Sequence, residues 1–422
     1  MDRRLFLALG VAGLARSATA QDPLAQGPGG PTAAELLGAS GEPYFIDWLN
    51  GFHARALEAG ADRAVLDTAL SGLSPDPRVV ALDARQPEVV RPVSDYIRSA
   101  VNGERIALGR ERMAGTPGLE TIEQVWGAPR EILVAIWAME TKFGAITGDL
   151  DIIRSLATLA ALGRRRAFAE RELLACLEIL KSGRATRERL RGSWAGAMGQ
   201  TQMLPSTYLA SAVDVEGIGA PDIWNSVADA LASTANLLAK SGWRRDEGWT
   251  REVLLPPGFD FGLSEGVGEP PYAWSGRGAV RADGLAWSAA ETDTPCVLLL
   301  PAGAAGPAFL ALPNHFVIRK YNNALAYALA VGLLADGFVG AAPVVRPWPA
   351  ETPLTLDDRL AAQSALASLG YNPGAPDGVI GLGTRQALRA WQKARGLPAD
   401  GYLSADMVQR LRAEASAPAA RG

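Results

Sequence analysis

From Tyr44 onward apolar residues recur at three- and four-residue spacing, a rhythm that predicts helices over 44–58, 62–71, 88–113 and 129–143. It continues over 166–181, 205–212, 226–240 and 322–335. Residues 250–318 interrupt it with Pro and Gly punctuation and short β-prone runs such as Val297-Leu298-Leu299-Leu300 and Phe316-Val317-Ile318. The pattern therefore predicts a mainly α fold, residues 41–335, with a small β-containing lobe set into it. Residues 336–353 are rich in Gly, Ala and Pro and end in Arg346-Pro347-Trp348-Pro349, the composition of a semi-rigid spacer. A compact unit follows over 354–412, then a loose Ala- and Pro-containing tail over 413–422. The compact unit echoes itself: Asp377-Gly378 leads to Gln386 and Leu388, and Asp400-Gly401 leads to Gln409 and Leu411 at the same offsets.

Residues 1–20 have the layout of an export signal, with Arg3-Arg4, an apolar run from Leu5 to Leu14, and Ala18-Thr19-Ala20 before Gln21. Arg3-Arg4-Leu5-Phe6-Leu7 fits either a twin-arginine or a Sec route. No cysteine follows the run and no other stretch is long and apolar enough to span a bilayer, so the expected product is periplasmic and without a membrane anchor. Residues 21–40 are expected to be flexible.

Composition narrows the chemistry. A net charge of -4 over 422 residues offers no basic field for nucleic acid. Two histidines, His53 and His315, leave little for a histidine-rich metal site or a histidine-based triad, so hydrolytic or lytic chemistry would have to run on carboxylates. Cys176 and Cys296 permit a disulfide in an oxidising compartment, and each equally fits core packing.

One carboxylate stands out. Residues 128–144 form a strong helix candidate, with Pro129 at its start and Gly144 just past its end. Glu140 follows Ile136 by four and Leu133 by seven, which puts it on their apolar face in the last turn. An apolar wall and the negative end of the helix dipole both raise a carboxyl pKa, as a general acid requires. The plain alternative is a partly buried glutamate paired with an arginine. Glu131, nine residues earlier, should face outward into solvent.

Two resemblances enter on these residues. Leu369-Gly370-Tyr371, Pro376-Asp377-Gly378, Trp391-Gln392, Gly396-Leu397 and Asp400-Gly401 resemble the peptidoglycan-binding domain type 1, which implies a small three-helix module that tethers the chain to wall polymer. Residues 134–144, 192–208 and 317–322, continuing to Tyr327-Ala328 and Val331, resemble in order the motifs of the lytic transglycosylase B family. That resemblance implies a lysozyme-like catalytic domain that cuts the MurNAc–GlcNAc bond of peptidoglycan without water, leaving a 1,6-anhydro end. It places Glu140 as the sole acid and base. It also implies Ser193, Gln202, Tyr321, Asn322 and Tyr327 as substrate-site residues, with Trp194 and Tyr208 offering flat faces to sugar rings. For Trp137, Tyr208 and Trp224 the competing role is core packing. Partners among cell-wall synthesis or remodelling proteins are a further expectation. Other readings of the chain are a hydrolytic muramidase and an inert wall-binding scaffold. Some family members hold calcium where this chain has Asp214 to Asp222; Asp214 and Glu216 suit the ion, but Ile218 occupies the next ligand position, so no metal or other cofactor is expected.

Overall fold

The computed structural model describes residues 32–84 and 89–417. The export signal predicted over 1–20 lies outside them, as do most of the flexible stretch and the end of the tail. Among the described residues are eighteen α-helices and eight short strands, so the fold is mainly helical. The described residues bury four separate apolar cores. One gathers Phe45, Leu66, Leu156, Cys176 and Tyr208; a second surrounds the helix Arg130–Thr141. The lobe has its own core around Trp274, Cys296 and Leu310, and the C-terminal unit another around Leu366, Leu388, Trp391 and Leu411. Cys176 and Cys296 are both free thiols, each buried in a different core.

The apolar rhythm places helices such as Arg166–Lys181 and Val227–Lys240, whereas Pro77–Ala84, Leu119–Trp126 and Ile152–Leu162 lie outside the segments it predicts. Four expectations need correction. The segment 88–113 is not one helix: Val93–Ala100 and Gly103–Gly115 are separated at Val101, and the Asn102 side chain caps the second by accepting from Arg105 N. Phe316-Val317-Ile318 lies in the helix Pro313–Tyr321, whose Pro313 suits a first turn, rather than in a strand. The stretch expected to be loose up to residue 40 contains the turn of helix Ala33–Leu36, closed by a Thr32–Glu35 capping box. The last helix, Ala405–Ser416, runs past the expected start of the tail.

The lobe is a four-stranded antiparallel sheet in which Thr250–Leu254 lies between Val280–Arg281 and Ala308–Ala311, and Val297–Leu299 takes the far edge. In the C-terminal unit three helices, Leu356–Ser368, Leu382–Ala394 and Ala405–Ser416, pack around the fourth core. Its internal echo has a physical cause. Buried Gln363 donates to Asp377 Oδ1 at 3.0 Å and accepts from Gly378 N at 2.8 Å. Buried Gln392 donates to Asp400 Oδ1 at 2.7 Å and accepts from Gly401 N at 2.8 Å. Each Asp-Gly turn is thus held by one glutamine amide that satisfies itself in doing so.

The spacer is fastened to the lobe. Val345 N and Arg346 N donate to the Glu252 carboxylate at 2.7 and 2.8 Å, and Trp348 stacks on Phe309 with 6.2 Å between ring centroids. Leu354–Thr355 then pairs with Val89–Val90 of the body, and Glu265 of the lobe binds Arg385 and Arg389 of the unit at 2.9 and 2.6 Å.

One titratable group under the second core bears on stability. Asp336, in the helix Leu325–Phe338, receives the Trp249 indole N–H at 3.2 and 3.3 Å on its two oxygens. Burial raises its carboxyl from the usual 3.8 to about 6. A raised folded-state pKa favours folding below the unfolded value, and that contribution disappears as pH rises through about 6. Asp336→Asn keeps an oxygen for the indole and removes the charge. It should melt roughly 2–4 °C higher than the parent at pH 8 and alike at pH 4; a melting difference of the same size at both pH values would contradict this assignment.

Candidate active site

The helix Arg130–Thr141 has no outward face. Ile132 through Ala138 are all buried in succession, and the helix emerges at its ends, at Arg130 and Glu131 and again at Met139 and Glu140. Glu131 is correspondingly not the solvated residue that spacing suggested: it is half-buried, and burial raises its carboxyl too.

The chain leaves this helix through three consecutive left-handed residues, Lys142, Phe143 and Gly144, with φ of 51°, 60° and 82°. The two non-glycine residues carry a strain of about 1–2 kcal/mol each. Thr141 holds the turn: its hydroxyl accepts from Gly144 N at 2.9 Å and donates to Gln200 O at 2.5 Å. The φ of Gly144 suits glycine, and a β-carbon there would also stand 2.7 Å from Gln200 Oε1, which would have to shift. The turn brings Thr147 O within 2.9 Å of Gln202 Nε2, which also donates to Gly199 O at 2.8 Å. With both amide hydrogens engaged, Gln202 retains Oε1 as an acceptor.

Glu140 thus stands on the second core, one residue before the Thr141 hydroxyl that ties its helix to the Gly199–Gln202 loop. Burial raises its pKa, and the Tyr327 hydroxyl, donating to Oε1 at 2.6 Å, opposes that by stabilising the carboxylate. Tyr96 and Tyr321 also feel its charge, and both phenols are raised, by burial first and by Glu140 second. Among the described residues no arginine or lysine pairs with Glu140, and no second carboxylate perturbs it. The Tyr321 hydroxyl donates to Thr201 O, tying the helix Pro313–Tyr321 to the Gly199–Gln202 loop. The arrangement is a single carboxyl of raised pKa with one phenol donor, a group suited to releasing a proton and taking one back.

The pattern of the family described as transglycosylase SLT domain matches residues 44–336, and that of the putative peptidoglycan binding domain matches 355–411. The chain belongs to the SLT transglycosylase family. It is 33% identical over 216 residues to the membrane-bound lytic murein transglycosylase B of Escherichia coli (strain K12), a match covering 50% of this chain and 58% of that relative. The chain thus spans less than two thirds of the curated relative's length. It is similar to SltB3 of Pseudomonas aeruginosa, solved in complex with NAG-anhNAM-pentapeptide: 45% identity, TM-score 0.84, covering 88% of this chain and 100% of the other. The Escherichia coli lytic transglycosylase Slt35, solved in complex with calcium, has 26% identity and TM-score 0.57, covering 70% of this chain and 93% of that one.

Of the positions expected to serve the transglycosylase site, Glu140, Gln202, Tyr321 and Tyr327 are tied together by the contacts above. Ser193 stands close by, since a β-carbon at Gly148, next to Thr147, would fall 2.9 Å from Ser193 N; its hydroxyl accepts from Ala197 N at 3.0 Å and closes a turn. Asn322 is exposed just after the helix Pro313–Tyr321, where Oδ1 accepts from Ala324 N at 3.2 Å. Trp194 is half-buried against the first core with the Arg165 guanidinium 5.2 Å over its ring. Tyr208 is placed elsewhere: it is fully buried, 5.5 Å from the Trp224 ring, with its hydroxyl donating to Pro221 O at 2.8 Å. It is a core residue and presents no face to a sugar. Tyr96 was missed, because an aromatic on an otherwise ordinary amphipathic helix gives no local signal.

Tyr327→Phe removes the donor that favours the Glu140 carboxylate, so the pKa of Glu140 should rise further. The alkaline limb of the pH–rate profile should then move to higher pH, with kcat roughly ten- to a hundredfold lower. A limb that stays put while kcat falls would show that Tyr327 acts on the substrate alone.

Proposed function

We propose that this chain is a peptidoglycan lytic transglycosylase that cleaves the MurNAc–GlcNAc β-1,4 bond without water and leaves 1,6-anhydroMurNAc ends. The observation that carries the reading is the isolation of Glu140, a raised carboxyl with one phenol and no carboxylate partner among the described residues. Glycosidases that use water or an enzyme nucleophile place two carboxylates across the bond. Here the nucleophile can come from the sugar. The Glu140 carboxylic acid gives its proton to the leaving GlcNAc oxygen as the glycosidic bond breaks. The carboxylate then takes the proton of the muramyl C6 hydroxyl as that oxygen bonds to C1, which restores the acid. Tyr327 steadies the carboxylate between the two transfers, and Gln202 Oε1 is free to accept from a sugar substituent.

Family membership and the wall-binding domain support peptidoglycan as the polymer. Among the described residues no helix is long and apolar enough to cross a membrane, and the reading includes work in the periplasm, where its polymer lies. Digestion of purified sacculi should yield fragments one water lighter than hydrolytic products. Glu140→Gln should cut their release by roughly a hundred- to ten-thousandfold while binding to wall persists. Hydrolytic masses would replace the reading with a muramidase, and undiminished release would remove Glu140 from the chemistry.

The reading includes no structural calcium. Asp214 spends its carboxylate on the amides of Gly217, Ile218 and Gly219 at 2.7–3.2 Å, so the loop closes on itself where a metal would otherwise gather it. The melting temperature should be the same in chelator and in millimolar calcium; a clear rise with calcium would show a site in this loop.

A further inference from the structure

Tyr321 and Tyr327 belong to two helices joined by three residues. Pro313–Tyr321 ends on the first phenol, and Leu325–Phe338 begins two residues before the second. The phenols therefore stand at the linked end of the pair, where a change in the angle between the helices moves one hydroxyl relative to the other.

Trp249 joins the two helices at their far ends. Its ring stacks on His315, with centroids 6.2 Å apart and planes 22° from parallel, and its indole N–H donates to Asp336. Gly332 lies flush with the ring, since a β-carbon there would stand 2.2 Å from it. By helical rise His315 lies about 9 Å before Tyr321, and Gly332 and Asp336 lie about 7.5 and 13.5 Å beyond Tyr327.

Two of these three contacts are made by shape. Both nitrogens of His315 are buried without a partner among the described residues. Burial, with the Arg319 charge second, pushes its pKa down to about 3, so it meets the indole as a flat uncharged ring. Glycine weakens a helix interior relative to alanine, and at Gly332 its missing side chain is what admits the indole. The ring is held from outside the pair. Trp249 O accepts from Leu312 N at 3.0 Å, and buried Asn314 joins Arg244 N, Arg244 O and Glu247 O at 2.8 Å each. Gly248 N donates to Glu291 of the lobe at 3.0 Å, and the lobe strand Thr250–Leu254 follows directly.

We propose that Trp249 is a positioning residue for the Glu140 acid: its ring props the two helices at their far ends and thereby sets how closely the Tyr327 hydroxyl approaches Glu140. Trp249 touches no reacting atom, and the inference rests on the role proposed above for Glu140. Misplacement of a catalytic group's partner by about an ångström is enough to slow a reaction severely, so a lever this short has a large effect.

The test is a double-mutant cycle on kcat with soluble glycan strands and the full-length chain, run well below each variant's melting temperature. Trp249→Leu should lower kcat about tenfold with KM nearly unchanged. In a Tyr327→Phe background the same substitution should lower kcat by only about twofold, because the donor it positions is already gone. Equal losses in both backgrounds, as a merely structural role requires, or no loss in either, overturn the proposal. Should Trp249→Leu fail to fold, Gly332→Ala carries the same cycle, since its β-carbon displaces the ring. Failure of the lytic reading would show separately, in hydrolytic rather than anhydro ends, or in undiminished release by Glu140→Gln, and kcat can be read from either product.

Discussion

A carboxyl group whose charged form is disfavoured, and which still stays open at a protein's surface, cannot be wholly inside or wholly outside the fold. Glu140 is such a group: its helix is buried for seven consecutive residues, Ile132 to Ala138, and Glu140 lies just beyond them where the helix surfaces. Burial disfavours the charged form; the Tyr327 hydroxyl at 2.6 Å keeps that form accessible. An ionised carboxylate with no donor in such surroundings would be prohibitively costly, and one paired with arginine would stay ionised. The single phenol is the intermediate case, and the strained turn after Thr141 and the Gly199–Gln202 loop are arranged around it.

The local rhythm of apolar residues predicts helices well where one side faces water, as in Arg166–Lys181. It says less about a helix buried all round. The spacing of Glu131 and Glu140 implies opposite faces, one wet and one dry, yet both carboxyls are raised by burial because there is no wet face. What distinguishes Glu140 is its place at the end of the helix and its tyrosine partner. That partner lies 187 residues away in sequence, beyond the reach of any local pattern. The same limit hid Tyr96. Phe316 to Ile318 erred for another reason: aromatic and β-branched residues favour strands only weakly, and packing overrides the preference.

The motif over 192–208 reads as one block in sequence, and the fold divides it. Gln202 and Ser193 fall against the turn around Thr147 and Gly148, while Tyr208, six residues past Gln202, is packed in the first core. A residue's presence in a motif thus reports that the local backbone must be built in a given way. Whether a side chain then meets substrate depends on which side of that backbone it leaves.

Proline-rich composition at 336–353 correctly indicates stiffness but does not indicate freedom. Two amide bonds to Glu252, the stack of Trp348 on Phe309, and the ladder between Leu354–Thr355 and Val89–Val90 hold the spacer against the lobe and body. A flexible tether raises the effective concentration of wall near the active site without regard to orientation. A fixed unit favours only those strands whose path satisfies both surfaces at once. On the proposed function, affinity contributed by the C-terminal unit is then also a filter on geometry, and the two surfaces are coupled while Glu265 links the lobe to Arg385 and Arg389.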